Sequence, residues 1–336
     1  MKASTHELAG RPAPLPAGAQ SVLSFAEARA VVENYARQLR PAGEEKVSLP
    51  RALSRFLAAP ICADRDLPPF SRSTRDGFAV RTADLAQLPA RLKIVGEIKA
   101  GAPPDAIIRN LLPGEAIAIM TGAPVPVDAD AVLMQEHTTA IGDGLIETSR
   151  SLAAGENIVP RGAEAVEDQV LLSPGARLTP ARLAVAATVG CASLSVYRRP
   201  QVAVLTTGDE IVPVHSFPGP TQIRNSNLYS LAAQIELAGG ETVPLPVAPD
   251  EPRRLRELVA TALQYDLALL TGGVSLGKYD LVEQVLQELE AQFFFTGIRI
   301  QPGRPLVFGD APAQGKKARQ TTVAARASAS LKPKRI

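Results

Sequence analysis

The segment from Thr271 to Gly277, which reads TGGVSLG, has the composition of a loop that binds an anion. It directly follows a short apolar run. Its glycines allow consecutive backbone N–H groups to converge on an oxyanion, and Ser275 adds a hydroxyl donor. It has neither the Gly-Lys-Ser/Thr of a Walker loop nor the G-x-G-x-x-G pattern. We interpret it as a candidate phosphate cradle, and a tight strand-to-helix turn without a ligand is the alternative.

Acidic residues occupy turns at comparable positions in the chain. They are Asp209 and Glu210 after one apolar run, Asp250 in a turn and Asp280 at the start of a helical pattern. Asp250 and Asp280 could instead serve only as helix N-caps. Carboxylates that face an anion-binding loop repel its ligand unless a cation lies between them, and Mg²⁺ held by carboxylates and substrate phosphates is the usual solution. The combination therefore predicts a phosphorylated or nucleotidylated substrate that binds through Mg²⁺.

A third group of residues lies in a segment with short apolar runs. Thr121 follows one of these runs and precedes residues 122–126, where two prolines make the chain rigid. Asp76 stands in the segment from Ser73 to Phe78, which reads STRDGF. A rigid turn that presents one aspartate suits a binding loop, but these residues alone favour an ordinary surface β-turn capped by Asp76.

An alternation of strand and helix patterns positions the first two groups. Strands are predicted at 202–205, 242–247, 267–270 and 293–300, and helices at 225–237, 251–264 and 280–290. Because the predicted strands have no polar face, we expect a parallel sheet covered by helices. Such folds bind ligands beyond the carboxyl ends of their strands, where the polar turns after 202–205 and 267–270 lie.

Different patterns occupy the rest of the chain. Ser24 begins a capping-box pattern ahead of a helix predicted at 25–39. A short apolar helix is predicted at 51–58 and another helix at 179–190. Residues 91–149 carry short apolar runs separated by Gly, Pro and Asp, which predicts a β-rich segment.

The composition bounds the class of protein. A chain of 336 residues, of which 46% are hydrophobic, is long enough for about two or three domains with a substantial core. Its two cysteines, Cys62 and Cys191, and its three histidines match no disulfide, redox or zinc spacing, which favours a reducing cytoplasm. No pattern typical of a secretory signal is visible, and the apolar runs are strand-sized, so we expect no membrane-spanning segment.

The net charge of +2 is unevenly distributed. The charged residues after Asp310 are all basic, seven in number, and the residues up to Asp310 carry a formal charge of −5. A mildly acidic body gives no electrostatic reason to expect nucleic acid as a partner. Residues 311–336 lack apolar periodicity, so we expect a basic disordered tail, with polyanion binding as the alternative.

Five motifs in series resemble the MoeA family of molybdopterin molybdenumtransferases and the related gephyrin E region. Their order and spacing agree with the family over roughly residues 24–309. The motifs are Pro68-Pro69-Phe70 with Asp76 to Arg81, Met120 to Pro126 with Asp128 to Val132, Thr206 to Glu210, Gly272 to Asp280, and Gln301 to Pro305. The chain departs from the family at Arg75 and Phe78, where members commonly carry Met and Tyr, and at Gln301, where some carry Lys.

The resemblance implies a multidomain α/β architecture. We expect an elongated helical segment formed by residues 21–64 and 156–196, with a β-rich domain inserted at residues 65–155. A molybdopterin-binding, three-layer α/β domain with a mostly parallel sheet is expected at residues 197–310. We expect residues 1–20 to be disordered and the C-terminal β domain of the family to be absent, which a frameshift or a premature stop would explain.

The resemblance also implies a dimeric cytoplasmic enzyme of molybdenum cofactor biosynthesis. Such an enzyme inserts molybdate into adenylylated molybdopterin, requires Mg²⁺ and releases AMP. It is expected to bind small-molecule substrates and a molybdopterin adenylyltransferase partner, but neither nucleic acid nor a membrane. A non-catalytic molybdopterin-binding or scaffold protein is the alternative, and an enzyme that cleaves an ordinary dinucleotide is a third hypothesis.

The same resemblance implies roles for individual residues. Asp76 and Thr121 are implied to be catalytic and to reach across the dimer interface. Glu210, Asp250 and Asp280 are implied to be catalytic and to hold Mg²⁺. The implied substrate-binding residues are Thr271, Gly272, Gly273, Ser275 and Gly277 for the phosphate of the pterin, and Gly303, Arg304 and Pro305 for molybdate.

Overall fold

The chain forms two compact units in the computed structural model. The α/β unit comprises residues 1–45 and 197–336, and the β unit comprises residues 46–196. None of the described helices combines the length and the hydropathy that crossing a membrane requires. The structure describes residues 12–16, 19, 21–103, 110–272, 281–300, 305–312 and 320–326.

The secondary structure alternates between short strands and a smaller number of helices. The described α-helices are α1 (Phe25–Ala36), α2 (Pro180–Thr188), α3 (Ser226–Leu237), α4 (Pro252–Ala262) and α5 (Leu281–Glu288). Short 3-10 helices cover Leu49–Arg51, Thr82–Leu85 and Gln135–His137. The described strands are β1 (Val22–Leu23), β2 (Glu44–Ser48), β3 (Ile61–Cys62), β4 (Arg72–Ser73), β5 (Gly77–Val80), β6 (Ala90–Ile98), β7 (Glu115–Ile119), β8 (Ala131–Met134), β9 (Thr139–Gly142), β10 (Leu145–Thr148), β11 (Ile158–Val159), β12 (Val170–Leu172), β13 (Ser193–Tyr197), β14 (Gln201–Thr206), β15 (Ile211–Val212), β16 (Ile223–Arg224), β17 (Glu241–Pro244), β18 (Leu267–Thr271), β19 (Gln292–Phe295), β20 (Gly297–Ile298), β21 (Leu306–Pro312) and β22 (Gln320–Arg326).

A six-stranded sheet forms the centre of the α/β unit, in the order β17-β14-β18-β22-β21-β19. Its first four strands run parallel, and β21 runs antiparallel to both of its neighbours. The sheet is therefore mostly parallel, as the apolar strand patterns predict. The strand predicted at 293–300 is two strands, because β19 pairs with β21 whereas β20 pairs with β1.

Helices cover both faces of this sheet. One face packs against α4 and α5 in a cluster that includes Leu205 and Leu270. The opposite face packs against α3 in a smaller cluster that includes Val202, Val204 and Ile235. Burial on both faces explains why strands such as β14 are apolar at successive positions.

The β unit contains a second six-stranded sheet, in the order β8-β5-β7-β6-β10-β9. Neighbouring strands run antiparallel except for β6 and β7, which are parallel. The two faces are buried in separate apolar clusters, one that includes Ile119 and one that includes Leu133. The β-rich character predicted for residues 91–149 is confirmed.

The helix predicted at residues 51–58 is wrong. A 3-10 helix ends at Arg51, and Ser54 then adopts a left-handed backbone conformation, with a φ of 64°, that an α-helix excludes. The N–H of Leu57 donates to the carbonyl of Ala176 at 3.0 Å instead of to the preceding turn. Ala52 and Leu57 face a core built with distant parts of the β unit, whereas Leu53 and Phe56 are exposed, so the apolar spacing only resembles that of a helix.

The disordered tail predicted at residues 311–336 is wrong for the part that the structure describes. β21 continues to Pro312, and β22 pairs with β18 on one side and with β21 on the other. Val323 of β22 is fully buried. β18 and β21 provide hydrogen-bond partners for the backbone N–H and C=O groups of β22 on both sides. The local composition of residues 320–326 does not reveal this pairing, because the partners are distant in the sequence. Residues 313–319 and 327–336 lie outside the described residues.

Two N-terminal stretches pack within the α/β unit. Leu15 contacts the cluster around α4 and α5 and donates its N–H to a carbonyl of β19 at 2.7 Å, so the predicted disorder of the N-terminus is wrong at this residue. On α1, the ring of Tyr35 lies 5.2 Å from that of Phe294 and 5.6 Å from that of Phe308, measured between centroids. The helical segment predicted at 21–64 is therefore divided between the two units.

We expect Val323→Asp to lower the free energy of unfolding by about 2 kcal/mol or more, because it places a carboxylate at a buried position of β22. Val214→Asp, at a position that is 47% exposed, is the matched control and should change this free energy by less than about 0.5 kcal/mol. Chemical denaturation followed by circular dichroism measures both values. Equal effects of the two substitutions would contradict the burial of β22.

Candidate functional site

The carboxyl ends of β14 and β18 lie side by side at one edge of the α/β sheet. Thr206, the last residue of β14, is the register partner of Thr271, the last residue of β18. The pairing continues one residue further, where the N–H of Thr207 donates to the carbonyl of Thr271 at 2.8 Å. The turns after both strands therefore start from adjacent points, as the predicted parallel sheet requires.

A buried network of three polar side chains joins these strand ends. Oγ1 of Thr271 donates to Oγ1 of Thr206 at 3.2 Å, and Nδ2 of Asn225 donates to the same oxygen at 3.1 Å. Oδ1 of Asn225 also accepts the N–H of Leu228 at 3.2 Å and so caps α3. This mutual pairing offsets the cost of burying the polar groups. The sequence analysis placed Thr206 in a family motif and Asn225 at the start of a predicted helix, but it gave neither a role in the site. An Asn ahead of an apolar helical pattern is nevertheless an N-cap signal.

Thr207 lies next to this network but outside it. The residue is 2% exposed, and within the described part of the chain its Oγ1 has no hydrogen-bond partner. Gly272 lies against it, since a Cβ at Gly272 would overlap the carbonyl oxygen of Thr207 and lie 2.7 Å from Oγ1. A buried hydroxyl without a partner costs about 1–3 kcal/mol.

Three carboxylates cluster in the turns beyond the sheet. The N–H of Asp250 donates to Oδ1 of Asp209 at 3.2 Å. Partial dehydration, followed by the negative charges of Asp209 and Glu210, raises the pKa of Asp250 above its ordinary value. Asp250 is not the N-cap of α4, because that position is Glu251 and Pro252 follows it. The interpretation of Asp250 as a helix cap alone is therefore wrong.

Glycine is required in the turn that carries the first two carboxylates. Gly208 has a φ of 132°, a backbone conformation that residues with a Cβ rarely adopt. The N–H of Gly208 donates to the carbonyl of Ala248 at 3.1 Å, and the carbonyl of Glu210 accepts the N–H of Ile223 at 2.8 Å. These bonds hold the backbone of the turn at the end of β14.

A cation would relieve the repulsion within this cluster, and carboxylate oxygens are the ligands that Mg²⁺ prefers. Among the residues that the structure describes, no three carboxylate, imidazole or thiol groups lie close enough together to hold a metal ion. Asp280, the third predicted metal ligand, lies outside those residues. The structure brings Glu210 and Asp250 within electrostatic reach of each other, and the complete metal site stays a prediction.

The first residue of the predicted molybdate segment that is described, Pro305, lies at the same edge of the sheet. Leu306 begins β21 and is the register partner of Arg326, which in turn is the partner of Thr271. Because β21 runs antiparallel to β18 and β22, its start lies beside their carboxyl ends. The structure thus gathers Thr271 and Pro305 at one edge, with β22 between their strands.

In the β unit, the structure brings the two predicted catalytic residues together. Oδ1 of Asp76 accepts the N–H of Thr121 at 2.7 Å and its hydroxyl at 2.8 Å. Both donors stabilise the ionised carboxylate, the N–H more than the hydroxyl, and hold the pKa of Asp76 below its ordinary value. Both side chains are exposed. The two hydrogen bonds connect the turn at Asp76 to the loop that carries Thr121, a contact that an isolated surface β-turn would not make.

The loop that carries Asp76 is held by hydrogen bonds and by close packing. Ser73 is fully buried, and its Oγ donates to the carbonyl of Arg75 at 2.6 Å. The N–H of Gly122 donates to the carbonyl of Ser73 at 2.8 Å. Gly77 lies between β7 and β8, where a Cβ would overlap a carbonyl oxygen of β8. These contacts fix the backbone on either side of the carboxylate.

The described site residues form one group in each unit. The α/β unit holds Glu210, Asp250, Thr271, Gly272 and Pro305, and the β unit holds Asp76 and Thr121. The predicted site residues that lie outside the described residues are Gly273, Ser275, Gly277, Asp280, Gly303 and Arg304.

Two family models match consecutive parts of the chain. The MoeA N-terminal region (domain I and II) matches residues 23–190, which include Asp76 and Thr121. A probable molybdopterin binding domain matches residues 203–328, which include the carboxylate cluster and β22. The chain belongs to the MoeA family. The resemblance found in the sequence is therefore confirmed.

Relatives of this MoeA-family chain are similar over most of its length. The molybdopterin molybdenumtransferase of Bacillus subtilis is 38% identical over 267 residues, covering 77% of this chain and 61% of the relative. That of Synechococcus elongatus is 35% identical over 304 residues, covering 87% and 73%. Two solved structures of the molybdopterin biosynthesis MoeA protein from Pyrococcus horikoshii superpose with TM-scores of 0.73, at 32% and 27% identity, covering 91% of this chain and 75% and 74% of those chains. The chain spans about three fifths of the length of the Bacillus subtilis relative.

We expect Thr121→Val to raise the pKa of Asp76, because it removes the hydroxyl donor and leaves the backbone donor in place. Because the N–H contributes most, the pKa should stay below the ordinary aspartate value. A pH titration of the carboxyl ¹³C resonance measures the change. Thr121→Ser, which keeps the hydroxyl, is the matched control, and an unchanged midpoint in Thr121→Val would contradict the hydroxyl contact.

We expect Glu210→Gln to lower the pKa of Asp250 towards its ordinary value, because one of the two repelling charges is removed. Partial dehydration and Asp209 remain, so the shift should be incomplete. Glu251→Gln, which removes an adjacent exposed carboxylate that does not raise this pKa, is the control for the same NMR titration. A larger shift in the control than in Glu210→Gln would show that the cluster is not arranged as described.

Proposed function

We propose that this MoeA-family chain acts in molybdenum cofactor biosynthesis as a molybdopterin molybdenumtransferase. In the proposed reaction, molybdate is inserted into adenylylated molybdopterin and AMP is released. The observation that supports it best is the cluster of Asp209, Glu210 and Asp250 beside the strand end from which the TGGVSLG segment starts. Carboxylates beside a candidate phosphate cradle suit a phosphoanhydride that binds together with Mg²⁺.

Glu210 and Asp250, together with Asp280, are the residues that would hold Mg²⁺. Partial dehydration and then the charges of Asp209 and Glu210 raise the pKa of Asp250. A bound cation would offset that repulsion, which supports this choice. When bound, Mg²⁺ would neutralise charge on the phosphoanhydride and orient it for cleavage. The glycine-rich backbone that begins at Gly272 would hold the phosphate of the pterin through its N–H groups.

Asp76 and Thr121 form the second part of the proposed site, and the family resemblance supports their contribution from the partner of a homodimer. Both described hydrogen bonds to Asp76 fall on Oδ1, so Oδ2 is the oxygen that would bind a water molecule or accept a proton. The lowered pKa keeps this carboxylate ionised at neutral pH. Thr121 fixes its orientation through two bonds.

Molybdate, the second substrate, would bind at Gly303, Arg304 and Pro305. It is a doubly charged oxyanion, and a guanidinium group offers paired N–H donors to adjacent oxygens. The position of Pro305 at the edge of the sheet that also carries Thr271 supports this assignment. Both substrates would then be held by segments at the same edge.

The proposed substrate implies a supplier and a compartment. Adenylylated molybdopterin requires a molybdopterin adenylyltransferase, which we propose as a partner in the cytoplasm. The family resemblance and the low cysteine content support this part of the proposal.

We expect the purified chain to release AMP when it is given adenylylated molybdopterin, molybdate and Mg²⁺, and to require molybdate for the release. Glu210→Gln and Asp280→Ala should each lower the rate by about a hundredfold or more, because each removes a proposed metal ligand. Glu251→Gln is the matched control and should keep the rate of the unmodified chain. Chromatographic quantification of AMP measures all four proteins.

Two results would contradict this proposal in different ways. Tight binding of adenylylated molybdopterin without AMP release would favour a non-catalytic molybdopterin-binding or scaffold protein, which needs the same cradle but no cleavage. The absence of binding would contradict both functions.

A further inference from the structure

Thr207 stands at the end of an apolar row of side chains. Successive residues along β14 point to opposite faces of the sheet, so Thr206 continues the face covered by α3. There it finds Asn225 and Thr271 as partners. Thr207 continues the opposite face, where Leu205 packs among the apolar residues of α4 and α5.

The hydroxyl of Thr207 is a polar group that this position does not need for packing. Valine has nearly the same shape and would fill the position without an unpaired polar atom. The residue is 2% exposed, and no described residue bonds its Oγ1. An unpaired buried hydroxyl lowers the stability of the ligand-free protein, which points to a hydrogen bond that forms only when a ligand is present.

Gly272 gives the chemical character of that ligand. It has a φ of 93° and lies against Thr207, where a side chain would collide with the carbonyl and cover the hydroxyl. The hydroxyl lies beside the first glycine of the TGGVSLG segment, whose sequence predicts converging backbone N–H donors, and a hydroxyl donor in this place suits an oxyanion.

We propose that Oγ1 of Thr207 donates a hydrogen bond to a phosphate oxygen of the bound pterin substrate and so positions the phosphate at the ends of β14 and β18. This inference rests on the proposed function, from which it takes the substrate. Thr207 is a positioning residue, since it breaks no bond of the substrate. Thr207 would add a hydrogen-bond donor from the end of β14 to the candidate phosphate cradle, whose other donors come from the TGGVSLG segment after β18.

The first test compares Thr207→Val with Thr206→Val in the ligand-free chain of 336 residues. Thr207→Val should leave the melting temperature unchanged or raise it, because no hydrogen bond within the protein is lost. Thr206→Val should lower the melting temperature by about 4 °C or more, because it leaves Asn225 and Thr271 without their shared partner. An equal loss in both variants would overturn the proposal, since the hydroxyl would then have a partner in the protein.

The second test measures binding of molybdopterin and of the same pterin after removal of its phosphate. Thr207→Val should weaken binding of molybdopterin by about tenfold to a hundredfold and leave binding of the dephosphorylated pterin unchanged. Thr207→Ser, which retains a hydroxyl, should restore most of the affinity.

Each result of the second test has one meaning. An equal affinity of Thr207→Val and the unmodified chain for molybdopterin would overturn the role of Thr207 and leave the proposed function intact. An equal weakening for both pterins would also overturn it, because the hydroxyl would not act on the phosphate. Failure of the unmodified chain to bind either pterin would overturn the proposed function and this inference with it.

Discussion

The need to pair polar groups at the carboxyl edge of a buried sheet shapes the whole α/β site. β14 and β18 are covered by helices on both faces, so a polar side chain at their ends needs a partner in the protein or in a ligand. Thr206, Thr271 and Asn225 bond one another, and Asn225 also fixes the start of α3. Thr207, one residue further on, has no such partner among the described residues. The hydroxyl of Thr206 therefore stabilises the fold, whereas we assign the hydroxyl of Thr207 to the ligand.

The same edge collects segments that are far apart in the sequence. The start of β21 reaches it because that strand runs antiparallel to β18, with β22 between them. At the acidic turn after β14 and the turn at Asp250, partial dehydration and then the repulsion between like charges raise the pKa of Asp250. A cation would offset this repulsion and would at the same time bind phosphate oxygens, which is why the proposed substrate is a phosphoanhydride and not a neutral ligand. In the β unit, the N–H and the hydroxyl of Thr121 donate to Asp76 and stabilise its negative charge.

Local patterns in the sequence predict much of this arrangement. Signals that depend on only a few neighbouring residues were predicted correctly. They are the apolar runs of β14 and β18 and the capping box at Ser24, and the structure contains all of them. β22 could not be predicted in this way, because Val323 is buried by β18 and β21 and the basic residues around it outweigh the short apolar run. For the same reason, Tyr35 on α1 gave no sign of its contacts with the aromatic rings of β19 and β21.

The candidate site shows the same division. The types and positions of Glu210 and Asp250 identify them as candidates, and the family resemblance adds Asp76 and Thr121. Only the structure shows which of these residues interact. The hydroxyl of Thr207 is recognisable only once its burial and its neighbours are known, because Thr206 beside it has the same local sequence signal.

The most direct test of the central claim is an equilibrium titration of adenylylated molybdopterin into the chain, with Mg²⁺ and with EDTA, at constant ionic strength. The carboxylate cluster beside the phosphate cradle predicts tight binding with Mg²⁺ and binding at least about tenfold weaker with EDTA, since the phosphoanhydride then faces unshielded carboxylates. Equal affinities under the two conditions would contradict the claim that this edge of the sheet binds its substrate through a divalent cation.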